Sequence, residues 1–184
     1  MSTVRNPYAV KLFCGLVWSD ASVAAAAEER MTASFGEIDF RSPVIPFNHT
    51  DYYRAEMGSD LQRTFVTFAS PIDPGVLAEV KQRTNAIEIE LSRAGDDGAP
   101  RRRVNLDPGY VTPAKLVLAT GKDFAHRIYL RDGIYAEVTL MFGHEGVRFL
   151  PWTYPDFKSE AYVDFFTQVR GQWLTVAPER SPDR

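Results

Sequence analysis

The chain of 184 residues has a single cysteine, Cys14. One cysteine excludes an internal disulfide and any zinc cluster built on thiolates. It sits in the apolar run from Val10 to Val17, where a free thiol behaves as a small buried hydrophobe rather than a nucleophile. Long hydrophobic runs are also missing. No stretch approaches the ~20 apolar residues of a membrane-spanning helix. Arg5, the apolar run from Tyr8 to Trp18 and the small residues Ala21 to Ala27 together imitate an export signal, but Lys11 interrupts the run and the alanines lead into Glu28, Glu29 and Arg30. A buried strand feeding an amphipathic helix explains that order better than a cleaved leader. A reducing, cytoplasmic setting is therefore expected. Neither sign of charge dominates: 21 basic residues face 24 acidic ones, for a net −3. With 45% hydrophobic and 24% charged residues, the chain is neither disordered nor collagen-like. One globular domain is expected, ordered over about 8–176 with a frayed tail at 177–184.

The strand and helix signals alternate. Val10 to Val17 is apolar at every alternation, as in a strand covered on both faces. Ser19 or Asp20 can cap a helix from about Ala21 to Ser34, whose stripe Val23, Ala27, Met31 ends at Gly36. Glu37 to Phe47 is extended but holds Pro43 and Pro46, and Thr64 to Ala69 reads as a strand. Asp73-Pro74 starts a second helix with the stripe Leu77, Val80, Thr84, Ile87, Leu91, and a loop follows at Ala94 to Gly98. Arg103 to Asp107 suggests a short strand stopped by the turn Asp107-Pro108-Gly109. Thr112-Pro113 repeats the cap-plus-proline signal, so Ala114 to Thr120 is expected to be a short helix, although its Val and Leu content also suits a strand. Asp132-Gly133 is a hairpin turn, Gly143 to Gly146 turns the chain again, and Ser159 precedes a closing helix with Tyr162, Phe166, Val169 and Trp173 on one face. The expected fold is α+β: a ferredoxin-like (split βαβ) core extended by a C-terminal antiparallel β-meander and a closing helix.

Charge is unevenly spread. Residues 101–131 hold seven basic and two acidic side chains, a net of +5, which leaves −8 for the remainder. A basic stripe on an acidic body suits a small anionic ligand better than bulk nucleic acid. The expected helix at Thr112-Pro113 would offer free amides to an anion, with Lys115 in its first turn. Neither a phosphate-loop nor a dinucleotide glycine spacing occurs around Asp107-Pro108-Gly109-Tyr110.

The hairpin supplies geometry. A two-residue turn at Asp132-Gly133 sets Arg131 opposite Ile134 and Ile128 opposite Glu137, so His126 and Glu137 become diagonal neighbours on one face, with Arg127 on the other. A carboxylate beside a histidine orients the ring for acid–base work; a structural polar pair on a half-buried sheet uses the same residues. His49 and Asp51 have the spacing of half a metal site, although Asp51 also suits a turn cap. Trp152, Tyr154 and Phe157 lie in a proline-braced loop that could stack on a ring or plug the core.

Several segments together resemble a prokaryotic family catalogued as domain of unknown function 4416. They are Val10-Lys11-Leu12-Phe13 with Gly15-Leu16, Thr50-Asp51-Tyr52-Tyr53 with Glu56-Met57-Gly58, and Val104-Asn105-Leu106-Asp107-Pro108-Gly109-Tyr110. Next come Ala114-Lys115-Leu116-Val117-Leu118-Ala119-Thr120, His126-Arg127-Ile128-Tyr129-Leu130, Gly133 to Leu140 and Pro151 to Asp156. The resemblance runs in order from about residue 8 to 174. It implies no activity, but it favours polar residues inside these segments over Arg101 to Arg103, which lie outside them.

The leading expectation is a small phosphorylated or nucleotide-like ligand held by Asp51, Tyr52, Asn105, Tyr110, Lys115 and Lys122, with no cofactor or resident metal assigned and no membrane partner. A metal-assisted phosphoesterase is the alternative, with His126 as acid–base, Glu137 as its orienter and Asp107 as a metal ligand. An interaction module using the Trp152 to Phe157 loop is the third. Oligomeric state is not legible in the chain.

Overall fold

The computed structural model describes residues 3–48, 52–95 and 98–176. The first strand, β1 (Lys11–Trp18), is buried at all eight positions. Asp20 accepts the Ser22 amide at 2.9 Å and starts α1 (Ala21–Phe35), which buries Val23, Ala24, Ala27 and Met31. Gly36 closes it in the left-handed region at φ 95°, its N–H donating to the Thr32 carbonyl. The strands β2 (Ile38–Arg41) and β3 (Ile45–Pro46), one turn of helix α2 (Arg54–Met57) and β4 (Gln62–Phe68) follow. Asp73 accepts the Gly75 amide at 2.7 Å, and a 3-10 turn, Pro74–Val76, leads into α3 (Leu77–Glu90). A minimal hairpin, β5 (Arg93–Ala94) and β6 (Pro100–Arg101), precedes β7 (Val104–Val111) and β8 (Lys115–Thr120). Last come β9 (Ile128–Arg131), β10 (Ile134–Gly143), β11 (Gly146–Phe149) and α4 (Glu160–Val176).

The mixed α+β architecture is built on one antiparallel sheet ordered β11-β10-β8-β7-β1-β4-β2, with β3 on β4 and β9 on β10. The elements read from sequence as a split βαβ core correspond to β1, α1, β2, β4, α3 and β7. Their strands run β7-β1-β4-β2, with α1 leading from β1 to β2 and α3 from β4 to β7. The period of two in β1 divides the core. Leu12, Cys14, Leu16 and Trp18 pack with Val23 and Met31 of α1 and Val80 and Ile87 of α3. Phe13 packs on the other face with Tyr162, Phe166 and Val169 of α4. The closing helix begins one residue past Ser159, whose carbonyl rather than its hydroxyl receives the Tyr162 and Val163 amides.

Two expectations between residues 104 and 120 are corrected. Asp107-Pro108-Gly109 is not a turn; β7 runs straight through it, and Pro108 faces Cys14 of β1. A proline is tolerated there because β8 pairs with β7 only from Gly109 to Val111, so Pro108 has one strand neighbour rather than two. Ala114 to Thr120 is not a helix but lies mostly in β8, so no helix N-terminus offers amides to an anion. The Thr112 hydroxyl accepts the Ala114 and Lys115 amides at 3.2 and 3.0 Å, and the Thr112 N–H donates to the Lys115 carbonyl at 2.8 Å. The cap-like pair thus closes a β-hairpin. Burial on both faces decides for the strand: Leu116 and Leu118 join the α4 side, while Val117 and Ala119 pack with Leu77 and Ala78.

Asp132 and Gly133, at φ 53° and 74°, are the two left-handed residues of the tight β9–β10 hairpin turn. The expected three-stranded meander is corrected: Tyr135 pairs with both Thr120 and Tyr129, and Leu140 with both Leu116 and Phe149, so β8 takes one edge of β10 while β9 and β11 share the other. Arg131 opposes Ile134 as expected, but the register then shifts, so Ile128 opposes Ala136 rather than Glu137.

Candidate ligand-binding cleft

Because the β7–β8 ladder stops at Gly109, the two strands part toward the start of β7 and the end of β8. The gap would strand the backbone of Leu106, whose partner in β1 is Leu16. Side chains from α3 take its groups instead: Lys81 donates to the Leu106 carbonyl at 2.6 Å, and the Leu106 amide donates to Glu88 at 2.6 Å. The opening is a cleft of about 610 Å³ between β7, β8, α3, the segment after β3 and the loop before α4.

Its floor is charged. Arg63 of β4 is 4% exposed, and its Nε lies 3.0 Å from Asp156 while Nη1 lies 3.6 Å from Asp107. Asp107 also faces Lys81 at 3.9 Å and accepts Asn105 Nδ2 at 2.9 Å. The rings of Phe47, Phe65 and Phe157 lie under the Arg63 guanidinium at 5.3, 4.8 and 5.6 Å, which spreads its charge over apolar surface. Gly15 makes the arrangement possible. A Cβ there would sit 2.7 Å from Phe65 Cε1 and 2.9 Å from Arg63 Nη2. Burial pushes the Glu88 carboxyl above its ordinary value, against the pull of Lys81, the Leu106 amide and Arg102. Arg102 donates to Asn105 Oδ1 at 2.7 Å and lies over the Tyr53 ring at 5.7 Å.

At the other end, Glu137 of β10 is 3% exposed. One of its oxygens, Oε2, accepts from both Arg127 Nε at 2.8 Å and His126 Nε2 at 3.1 Å. Arg127 also donates to the Lys122 carbonyl and to the Tyr154 hydroxyl, each at 2.9 Å. The expectation that Arg127 points away from His126 is corrected. A turn in which the Arg127 amide bonds the Phe124 carbonyl precedes β9, so the strand alternation does not extend back to residues 126 and 127. The Lys122 ammonium lies 3.9 Å from the Tyr52 ring centre.

Of the residues singled out in the sequence, Tyr52, Asn105, Asp107, Lys122 and Glu137 line the cleft together. His126 does not line it. The imidazole sits behind Glu137 and stacks on Trp152 at 4.7 Å with 9° between the rings, and the Trp152 indole N–H is held by the Val138 carbonyl at 2.8 Å. Trp152 thus braces His126, while Tyr154 and Phe157 of the same loop reach the lining. Lys115, at the opposite end of β8 from Thr120, and Tyr110, packed beside Val117 and Ala119, are also off the lining. Asp51 and His49 fall outside the described residues. Among the described residues, no group of three or more His, Cys, Asp or Glu side chains is placed to hold a metal.

Sequence reasoning missed Arg63, Lys81 and Glu88, and it set Arg102 below the residues inside the family segments, although Arg102 lines the cleft. The signal for two of them was present: positions 77, 81, 84 and 88 repeat at helical spacing, so Lys81 and Glu88 share the buried face with Leu77 and Thr84. A charged residue inside an apolar strand, Arg63, together with a glycine inside another, Gly15, was the signal for the floor.

The fold and cleft define an α+β protein with a charged, aromatic-walled cavity opening where two neighbouring antiparallel strands separate. The chain belongs to the family described as domain of unknown function (DUF4416), whose model matches residues 8–173. No curated protein and no solved structure matches it.

Proposed function

We propose that the cleft binds a small phosphorylated or nucleotide-like ligand. The observation that carries this reading is Lys122: its ammonium lies over the Tyr52 ring, and no carboxylate partners it among the described residues. The other cleft cations behave otherwise. Arg63 and Lys81 face Asp107, and Arg127 is bound to Glu137. Lys122 is therefore the cation whose charge an incoming anion neutralises, with the remaining Arg127 donor groups beside it. The faces of Tyr52, Tyr53 and Tyr154 suit a flat ring attached to that anion. A volume of about 610 Å³ falls within the range of small-molecule sites.

A cytoplasmic setting goes with this reading. The one thiol, Cys14, is 1% exposed, and no helix among the described residues is long and apolar enough to cross a membrane. The test is thermal denaturation against a panel of nucleotides and sugar phosphates. At least one ligand should raise the melting temperature, as binding to the native state alone requires, and Lys122→Ala should lose most of that rise. A flat response across the panel, or a Lys122→Ala protein that responds like the wild type, overturns the proposal.

A further inference from the structure

Glu137 is bound from one side only. Its Oε2 takes both donors, Arg127 Nε and His126 Nε2, while Oε1 is buried and accepts no hydrogen bond among the described residues. An acceptor left this way is costly, because it has lost water without gaining a donor. Four other buried polar atoms among the described residues share the condition, and none is comparable. Arg63 Nε and Asp156 Oδ2 face each other as an ion pair at 3.0 Å. Thr139 and Ser159 are off the cleft lining, whereas Glu137 is on it.

We infer that Glu137 Oε1 is a specificity element that accepts a hydrogen bond from an N–H or O–H of the bound ligand. The inference rests on the anionic-ligand reading and adds to it: beyond its phosphate, the ligand carries a donor that reaches Glu137, either an amino group on a base or a hydroxyl on a sugar. A carboxylate oxygen at that position is an acceptor, so it discriminates sharply against a ligand that presents another acceptor or a bare C–H there. Arg127 makes the site directional. Because Arg127 only donates, it holds an accepting oxygen at the Oε2 position in glutamate and glutamine alike. In Glu137→Gln the side-chain oxygen must therefore stay with Arg127, and the amide NH₂ falls where Oε1 was. The substitution keeps the shape and turns an acceptor into a donor.

The experiment is calorimetric titration of the wild-type protein with the common ribonucleoside monophosphates and ribose phosphate. Each ligand that binds is then compared with analogues in which one amino or hydroxyl group is replaced by hydrogen. Removal of one particular donor should weaken wild-type binding by about tenfold or more, and which analogue does so tells a base amine from a sugar hydroxyl. Glu137→Gln should bind the parent ligand weakly and lose the preference for it over that analogue. If every single deletion leaves the wild-type Kd within about twofold, or if folded Glu137→Gln keeps the preference, the inference fails while the anion reading stands. If nothing in the panel binds, the anion reading fails and this inference with it. The wild-type series decides the matter even should the variant not fold.

Discussion

The backbone of Gly15 and the guanidinium of Arg63 share one space: a Cβ on Gly15 would stand 2.9 Å from Arg63 Nη2. The pair joins two adjacent strands, because β1 and β4 are in register with Gly15 opposite Phe65 and Val17 opposite Arg63. A glycine in a central strand ordinarily weakens it. Here the missing side chain lets a buried arginine reach Asp107 and Asp156 across the sheet.

Gly15→Ala should therefore be destabilising by about 1–3 kcal/mol, the usual cost of forcing a methyl group into a filled core. Strand propensity alone would give the opposite sign. Urea denaturation of the two proteins decides between them. Equal midpoints would mean that Arg63 and the Phe65 ring, which packs on Tyr162 at 4.7 Å and Phe166 at 4.9 Å, can move aside freely.

Removing the arginine is expected to cost more than crowding it. Its side chain is 5% exposed and that of Asp156 is 4% exposed, so Arg63→Ala leaves a buried carboxylate without its counter-ion. Loss of one partner from such a pair costs about 3–5 kcal/mol. The double variant Arg63→Ala, Asp156→Ala should recover part of that loss, since no charge is then stranded. A double variant less stable than the sum of the two single changes would show that the rings around Arg63, not its charge pairing, dominate.

Glu88 gives a pH dependence with a definite sign. Burial raises its carboxyl in the folded protein above the ordinary glutamate value of about 4.3 in the unfolded chain. A group raised in this way contributes stability below the unfolded value and loses it as pH climbs through the folded value. Glu88→Gln keeps an acceptor for the Leu106 amide and does not titrate. The stability of the wild type relative to this variant should therefore fall as pH rises above about 4.3, measured as the difference in denaturation midpoint at each pH. A difference that grows with pH would mean that Lys81 and Arg102 outweigh burial.

Part of the cleft was readable in the sequence, through Tyr52, Asn105, Asp107, Lys122 and Glu137, while its floor of Arg63, Lys81 and Glu88 was not. Counting from the hairpin signal Asp132-Gly133 put His126 near Glu137, and the two are 3.1 Å apart, but the register it used is not the one formed, since Ile128 faces Ala136 and His126 precedes β9. The same counting sent Arg127 to the wrong face, because it assumed strand geometry at residues 126 and 127, two residues before β9 begins. Thr112-Pro113 carried the chemistry of a helix start, yet the same Thr hydroxyl closes a hairpin equally well, and neighbours on both faces of Leu116 to Ala119 made the choice. Pro108 looked like a turn for a local reason and lies in a strand for a global one.

The sequence by itself determined the alternation of apolar positions in β1, the caps and stripes of α1 and α3, the hairpin turn and the family to which the chain belongs. These depend on residues close together in the chain, whose spacing repeats with the period of a strand or a helix. Only the tertiary structure decided that β8 leaves β7 at Gly109, that Lys81 and Glu88 hold the Leu106 backbone across the gap, and that Arg63 lies against Gly15. Each of those joins residues far apart in sequence, and which distant groups meet is fixed by how the sheet and helices pack.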